Sequence, residues 1–375
     1  MQPRLIITVN PGATTTRCAF YETNNGLVSC TAGEVIEHSD SEVGRFEAIS
    51  DQLEYRYQLV LGFVRRHING ENIPRLVACA GRGGMLTPVP PGVIRVNDDL
   101  VRFSLETPVY EHASNLGAPL AHRLAGVYGV EAFIADPVGV DEFTDMARIS
   151  GSPEFHRFSF VHALNIRSTV RRLARLLEKT VEELRLVVAH LGAGFSIAAV
   201  DRGRLIDNSN RMECSPFTPE RTGGLPPVPL IEACYSGKWT KAELLKKLYG
   251  QGGVFAYLGT RDMREVELRI KKGDDNAALI YDAMLYQIGK AVGAMAATMD
   301  FKIDGIVLTG GLANSKKLTE RLTSKMENLA PVFVFAGSNE NQALAETVIA
   351  ALDAGGQYMD WPVPARATAR YNARQ

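Results

Sequence analysis

The sequence predicts a duplicated α/β protein of two domains with a ligand clamped between its halves, and three observations carry that expectation. The chain has 375 residues, more than one core comfortably holds and suited to two domains. Apolar runs that read as buried strands alternate along it with stretches of helical spacing. Most informative is an internal repeat: residues 5–21 and 185–201 align without gaps. Each copy reads as an apolar strand, a tight tip of small or hydroxyl residues, and a second strand.

In the first half, residues 5–9 form a buried strand that Asn10-Pro-Gly12 breaks, and residues 16–21 form the second. Asn24-Asn-Gly26 signals a turn before a third strand over 27–35. Phe46, Ile49, Leu53, Leu59 and Phe63 recur at roughly helical spacing over 45–67. Strands over 76–80 and 131–135 bracket a helix expected at 115–128. In the second half a helix over 163–179 carries Val170, Leu173, Leu176 and Leu177 on one face. A buried strand over 184–191 follows, then a hairpin over 196–206 that turns at Asp201-Arg-Gly203. The proline-rich stretch 216–229 reads as irregular, because proline fixes φ and lacks a ladder donor. A long helix spans 277–299, with Gly289 and Gly293 marking close helix packing. A strand over 303–308 leads into Thr309-Gly-Gly311, and a strand over 332–336 precedes a last helix at 342–352. The Ala- and Arg-rich tail after Trp361 is expected to order only by docking. The expected domains are 1–162 with about 341–375, and 163–340.

Net charge is −1, with acidic and basic residues intermixed. That balance excludes the concentrated basic face that nucleic-acid or membrane-surface binding needs. The five cysteines (Cys18, Cys30, Cys79, Cys214, Cys234) form no C-x-x-C pair, which suits a reducing compartment and not a disulfide framework or zinc site. The opening apolar run is too short for a signal peptide, and no stretch of 18 or more apolar residues offers a membrane span. A soluble cytoplasmic protein is the expectation.

Chemistry concentrates at the tips and in glycine-rich loops. In Asn10-Pro-Gly-Ala-Thr-Thr-Thr-Arg17, backbone N–H groups around Gly12 can point at an anion, with Thr15 adding a hydroxyl and Arg17 a charge. An ordinary hairpin turn is the bland alternative. The second tip, His190-Leu-Gly-Ala-Gly194, places Gly192 and Gly194 after a strand. It resembles the start of a G-x-G-x-x-G fingerprint, but the third glycine is missing and a strand follows instead of a helix, so a dinucleotide fold fails. No G-x-x-x-x-G-K-[ST] occurs either. His190, at a strand end beside two glycines, favours a phosphate contact over a core role. In Thr309-Gly-Gly-Leu-Ala-Asn314, Gly310 and Gly311 allow close approach of a flat ligand such as adenine, or simply start a helix. Asp136 and Glu340 end strands, where they either cap or hold Mg²⁺ through water. Arg82 and Arg221 lie in glycine-rich loops, and their planar forks suit carboxylate and phosphate oxygens. His112, just before a helix, is a donor or a cap neighbour.

These pieces, in this order from about residue 5 to 352, resemble the acetate and butyrate kinase family of the sugar kinase, actin and Hsp70 superfamily. The specific matches are Asn10-Pro-Gly12, Arg82-Gly-Gly84, Glu111-His-Ala-Ser-Asn-Leu-Gly117, Asp136-Pro-Val, His190-Leu-Gly, Phe217-Thr-Pro-Glu-Arg221, Ala256-Tyr-Leu-Gly-Thr260, Leu308-Thr-Gly-Gly311 and Gly337-Ser-Asn-Glu340. The 111–117 and 217–221 motifs point to the butyrate branch. The resemblance implies an actin-like ATPase (ribonuclease H-like) fold with the active site in the interdomain cleft. It implies in-line transfer from ATP to a short-chain carboxylate, with Mg²⁺ as cofactor and a homo-oligomer built from dimers. Butyrate is the expected acid, with isobutyrate, propionate and acetate as alternatives.

By the same resemblance, Asn10 and Arg17 line the phosphates and His190 with Gly192 forms the second phosphate loop. Arg82 and Arg221 hold the carboxylate and the transferring phosphoryl, and His112 stabilises the transition state. Asp136 and Glu340 are the acidic pair near Mg²⁺; Gly310 and Gly311 belong to the adenosine site. The family's first tip usually reads Asn-Pro-Gly-Ser-Thr-Ser-Thr-Lys; here Ala13 and Thr15 replace serines and Arg17 replaces lysine. Residues 211–215 stand where an Asp-Gly-Asp-Gly run is usual. These departures leave a second reading open, a nucleotide-binding paralogue with impaired catalysis. A sugar kinase lacks support, since no candidate base for a hydroxyl sits in a matching motif.

Overall fold

The computed structural model describes residues 3–24, 26–70, 72–209 and 215–363. Asn25 of the expected turn, residues 211–214 and the tail from 364 lie outside them. The chain divides into two compact units, residues 1–141 with 339–375, and residues 142–338. In the first, β1 (Arg4–Pro11), β2 (Thr15–Asn24), β3 (Leu27–Glu37), β4 (Leu76–Arg82), β5 (Val93–Arg95), β6 (Glu131–Ala135) and a late strand, Met359–Asp360, form one sheet. Its order is Met359–Asp360, β5, β6, β4, β1, β2, β3. In the second, β7 (Arg185–Leu191), β8 (Phe195–Asp201), β9 (Arg204–Ser209), β10 (Gly305–Gly310) and β11 (Val332–Ala336) are ordered β11, β10, β7, β8, β9.

The duplication is visible in the pairing. In each unit three successive strands pair antiparallel, and two later strands add in parallel beside the first of them. Central β1 and β7, each with one antiparallel and one parallel neighbour, are buried almost throughout, as their continuous apolar runs imply. Edge strand β3 alternates between exposed and half-buried residues. The repeat, however, is not gapless. On the first hairpin Pro11 pairs with Thr16, leaving residues 12–15 at the tip; on the second Leu191 pairs with Phe195, leaving only 192–194. Tip length sets hairpin register, so the strands after the tips are offset by one residue.

The first boundary falls after Asp141 and not at 162, because the following segment bonds to β9. The carboxylate of Glu142 accepts the N–H of Leu205 at 3.1 Å, Thr144 N–H donates to Ile206 O at 3.1 Å, and Arg157 pairs with Asp207 at 2.9 Å. The helix expected over 45–67 is regular only over Leu53–His67. Helix Pro227–Tyr235 begins inside the stretch read as irregular; its prolines occupy the first turn, where no N–H is needed. Gly289 does lie against the Lys325 side chain of helix Lys316–Met326, but a side chain at Gly293 would meet open space. Only the first marks close packing.

Helix Glu340–Asp353 returns to the first unit and buries Leu344, Ala345 and Val348 there. Helix Asp275–Ala297 buries Tyr281, Met284, Ile288 and Val292 in a core with Val187, Ala189, Ile197 and Ala199. Among the described residues no helix is long and apolar enough to cross a membrane.

Candidate active site

In the first unit, three residues distant in sequence meet at the ends of parallel strands. Asn10, near the end of β1, donates from Nδ2 to Glu340 Oε2 at 2.7 Å. Arg82, closing β4, reaches Asn10 Oδ1 at 3.4 Å and Glu340 Oε2 at 3.1 Å, all through Nη1. Glu340 is buried and opens its helix, where the helix dipole and Arg82 both favour its negative charge. The Nε and Nη2 donors of Arg82 make no hydrogen bond among the described residues.

The loops around this triad are packed too closely for side chains. A Cβ on Gly117 would strike the Arg82 carbonyl, and one on Gly84 would lie 2.5 Å from Asn115 Oδ1. Asn115 locks the same loops, accepting from Met85 N–H and donating to Tyr110 O, both at 2.8 Å. His112 caps the short helix Ala113–Leu116: Ser114 N–H donates to His112 Nδ1 at 3.1 Å. That nitrogen must therefore carry the lone pair, which puts the ring proton on Nε2 as a donor. Asp136, in the left-handed region at φ 38°, accepts from Gly92 N–H at 2.8 Å.

The first tip shows what sequence reasoning missed. Arg56, on helix Leu53–His67, is fully buried. It donates from Nη1 to Gly12 O at 2.9 Å, Thr15 O at 3.3 Å and Thr16 Oγ1 at 3.0 Å, and from Nη2 to Ala13 O at 3.1 Å. Gln52 Oε1 accepts from its Nε and Nη2 at 3.0 and 2.8 Å. Burial lowers its pKa to about 10. Thr16 Oγ1 is also hydrogen-bonded to His38 Nε2 at 2.8 Å, and His38 Nδ1 to the Tyr55 hydroxyl at 3.2 Å. Burial, then the Arg56 charge, pushes the His38 pKa down to about 4. The Arg17 side chain is exposed and makes no hydrogen bond or ion pair among the described residues. A signal for Arg56 was present, since it lies between Leu53 and Val60 on the apolar stripe of its helix.

In the second unit, His190 Nδ1 donates to Asn165 Oδ1 at 2.7 Å, and Asn165 Nδ2 is spent on Ser338 O at 2.7 Å. His162, another residue not anticipated, stacks on the His190 ring at 3.9 Å between centroids. Arg221 packs against the tip so closely that a Cβ on Gly194 would lie 2.8 Å from its Nη1. That Nη1 is buried and has no hydrogen-bond partner, and burial lowers the Arg221 pKa. Thr218 ties the arginine loop to the tip: its Oγ1 donates to Ala193 O at 2.7 Å and accepts from Arg221 N–H at 3.1 Å.

Gly310 ends β10 at φ 90°, and a Cβ there would strike Leu191 backbone. Gly311 faces open space and accepts from Asn314 Nδ2 at 2.8 Å. Gly311, Leu312 and Asn314 line a cavity of about 780 Å³ with Arg261, Asp262 and Glu267, a volume that suits a ligand of nucleoside size. No cluster of three or more His, Cys, Asp or Glu side chains placed to hold a metal occurs among the described residues. Asp136 and Glu340 are buried hard-oxygen donors, and Mg²⁺ is commonly held by one or two carboxylates together with substrate phosphates. The carboxylate chemistry of each residue suits that ion.

Two three-antiparallel, two-parallel sheets of this kind define the actin-like ATPase class of fold. The acetate kinase of Porphyromonas gingivalis matches with a TM-score of 0.71 over 92% of this chain and 99% of its own, at 18% identity. A propionate kinase from Francisella tularensis matches equally, at 0.71 and 18%. The acetokinase family profile matches residues 156–355. The "Probable butyrate kinase 2" of Caldanaerobacter subterraneus subsp. tengcongensis is 40% identical over 92% of this chain and 96% of its own length. The "Butyrate kinase 2" of Clostridium acetobutylicum is 39% identical, again over 92% and 96%. The chain belongs to the acetokinase family.

Proposed function

We propose that this chain transfers the γ-phosphoryl group of ATP to a short-chain carboxylate, with butyrate the preferred acid. The observation that carries the reading is an arginine with unspent donors in each unit: Arg82 beside Asn10 and Glu340 in the first, and Arg221 with its buried, unpartnered Nη1 in the second. Relatives named butyrate kinases, 39–40% identical over 92% of the chain, support the choice of acid.

Carboxyl groups in water titrate at about pH 4, so the acceptor is already ionised at neutral pH and the reaction needs no general base. Its difficulty is bringing two anions together, which calls for positive charge and fixed donors. One carboxylate oxygen forms a bond to the γ-phosphorus as the bond to the β-γ bridging oxygen breaks. Acyl phosphate and ADP leave, and no proton changes hands. Arg82 grips the carboxylate through Nε and Nη2, while Arg221 and the Nε2–H of His112 stabilise charge on the moving phosphoryl. Asn10, Gly12, Thr15 and Arg17 on one tip, with His190, Gly192 and Gly194 on the other, hold the phosphates. Gly311 and Asn314 receive adenosine in the cavity they line, with Gly310 ending the strand that leads to it. Asp136 and Glu340 would hold Mg²⁺ through water, and the ion when bound neutralises phosphate charge. We place the enzyme in the cytoplasm, which its four described cysteines, all free thiols, suit. The resemblance to its family favours an oligomer built from dimers.

The test is incubation with Mg-ATP and carboxylates of two to five carbons, trapping acyl phosphate with hydroxylamine. A hydroxamate signal peaking at four carbons is expected. Folded protein that binds ATP yet yields no hydroxamate with any acid would overturn the reading in favour of an impaired nucleotide-binding paralogue, and Arg17→Lys with Ala13→Ser would then be the informative variant.

A further inference from the structure

We propose that Arg56 is the positioning residue of the first tip, fixing its peptide planes so that the N–H groups of Ala13 and Thr14 face a phosphate. The inference rests on the reading that this tip holds phosphate. In a trans peptide the C=O of one residue and the N–H of the next point in opposite directions. Arg56 holds the carbonyls of Gly12 and Ala13 at 2.9 and 3.1 Å. The N–H groups of Ala13 and Thr14, in those same two peptide units, therefore point away from the guanidinium. Neither makes a hydrogen bond among the described residues. They form a pair of adjacent free donors at the tip of a β-hairpin, the arrangement that captures anions.

Three further features argue that this is more than ordinary core packing. Arg56 is fully buried, and its hydrogen bonds go to Gln52, Thr16 and tip carbonyls, with no carboxylate among them. A buried cation without a counter-charge is costly, and an anion arriving at the tip would offset that cost. Gln52 Oε1, accepting from both Nε and Nη2, fixes the rotation of the fork so that its remaining donors meet several carbonyls at once. Lysine, a single point of charge without that fork, cannot reproduce the set. The same geometry accounts for Ala13 where a serine is usual: position 13 offers its peptide, and its side chain is exposed.

Arg56→Lys and Arg56→Ala would be compared with wild type for KM(ATP), KM(butyrate) and kcat in the hydroxamate assay. Methylguanidine would be added to Arg56→Ala as a rescue agent that fits the space the side chain leaves. Arg56→Lys is expected to raise KM(ATP) about tenfold or more while KM(butyrate) changes less than about twofold. Methylguanidine should restore part of the loss in Arg56→Ala. If Arg56→Ala does not fold, Arg56→Lys alone decides: wild-type KM(ATP) and kcat in folded Arg56→Lys would overturn the proposal. A parallel rise in both KM values without rescue would also overturn it, as a general loss of packing. Thr15→Ala separates the two layers: if it leaves KM(ATP) unchanged while Arg56→Lys raises it, the Thr15 contact fails and the backbone role stands. If neither variant moves KM(ATP), the phosphate reading of the tip itself fails.

Discussion

The two hairpin tips follow one plan within their own sheets but are held by opposite means. The first, residues 12–15, is gripped from behind by a buried cation whose fork collects carbonyls of Gly12, Ala13 and Thr15. The second, residues 192–194, is one residue shorter and is held by fit. Arg221 fills the space where a Gly194 side chain would be, and Thr218 ties its loop to Ala193. In the first tip the arginine spends its donors on the backbone; in the second an arginine keeps Nη1 unspent. On the proposed reading, the donor that orients a loop and the donor kept for substrate are separate residues, and the tips differ in which kind they carry.

The sharpest way to break this contrast is at Gly194. Arg221→Ala should lower kcat by roughly 10²–10³, the cost of removing a donor aimed at developing charge. Gly194→Ala keeps every catalytic side chain yet puts a Cβ 2.8 Å from Arg221 Nη1, and should lose about tenfold or more of kcat with KM(ATP) little changed. Steady-state hydroxamate rates with thermal unfolding as control would measure both. An active Gly194→Ala enzyme would show that the second tip is not held by fit.

A smaller effect is expected at Asn165. Its Oδ1 keeps the proton of His190 on Nδ1, and its Nδ2 is tied to Ser338 O. Asn165→Leu leaves that N–H buried without an acceptor, a cost of about 1–3 kcal/mol, and frees the ring to turn. KM(ATP) should rise several-fold while KM(butyrate) holds. Unchanged KM(ATP) would assign phosphate binding to the first tip alone.

What was legible in the sequence follows the same division. Continuous apolar runs gave the central strands, and glycines beside polar residues marked the strand ends that carry Arg82 and His190 and the loop that carries Arg221. Both signals are local, because a buried strand or a close backbone approach restricts residue type on the spot. The missing residue in the second tip was not legible, since Gly-Ala opens both tips and either length satisfies the pattern. Arg56 was passed over for a related reason: arginine in a helix ordinarily faces water. Only its place in the stripe of Leu53, Val60 and Val64, all buried, marks it as internal. His162 carried no comparable signal, because a stacking partner 28 positions from His190 is set by the fold and not by spacing.

The hydrogen-bond chain behind the first tip runs to a buried histidine, and that histidine makes it sensitive to acid. Arg56 donates to Thr16 Oγ1, Thr16 Oγ1 is hydrogen-bonded to His38 Nε2, and His38 Nδ1 to the Tyr55 hydroxyl. Burial of the ring, then the Arg56 charge beside it, disfavours the imidazolium, which is why the folded pKa lies at about 4 against an ordinary value near 6.5. Between those values the unfolded chain binds a proton that the folded chain rejects, so this contribution to stability is whole above about pH 6.5, falls as pH drops, and levels off below about 4. Urea midpoints at pH 7.5, 6 and 5 should therefore fall more steeply for wild type than for His38→Asn, with kcat at pH 7.5 changed little. Parallel slopes would mean that His38 accepts its proton in the folded state. The charged ring would then donate from both nitrogens, and Thr16 Oγ1 would accept from it as well as from Arg56.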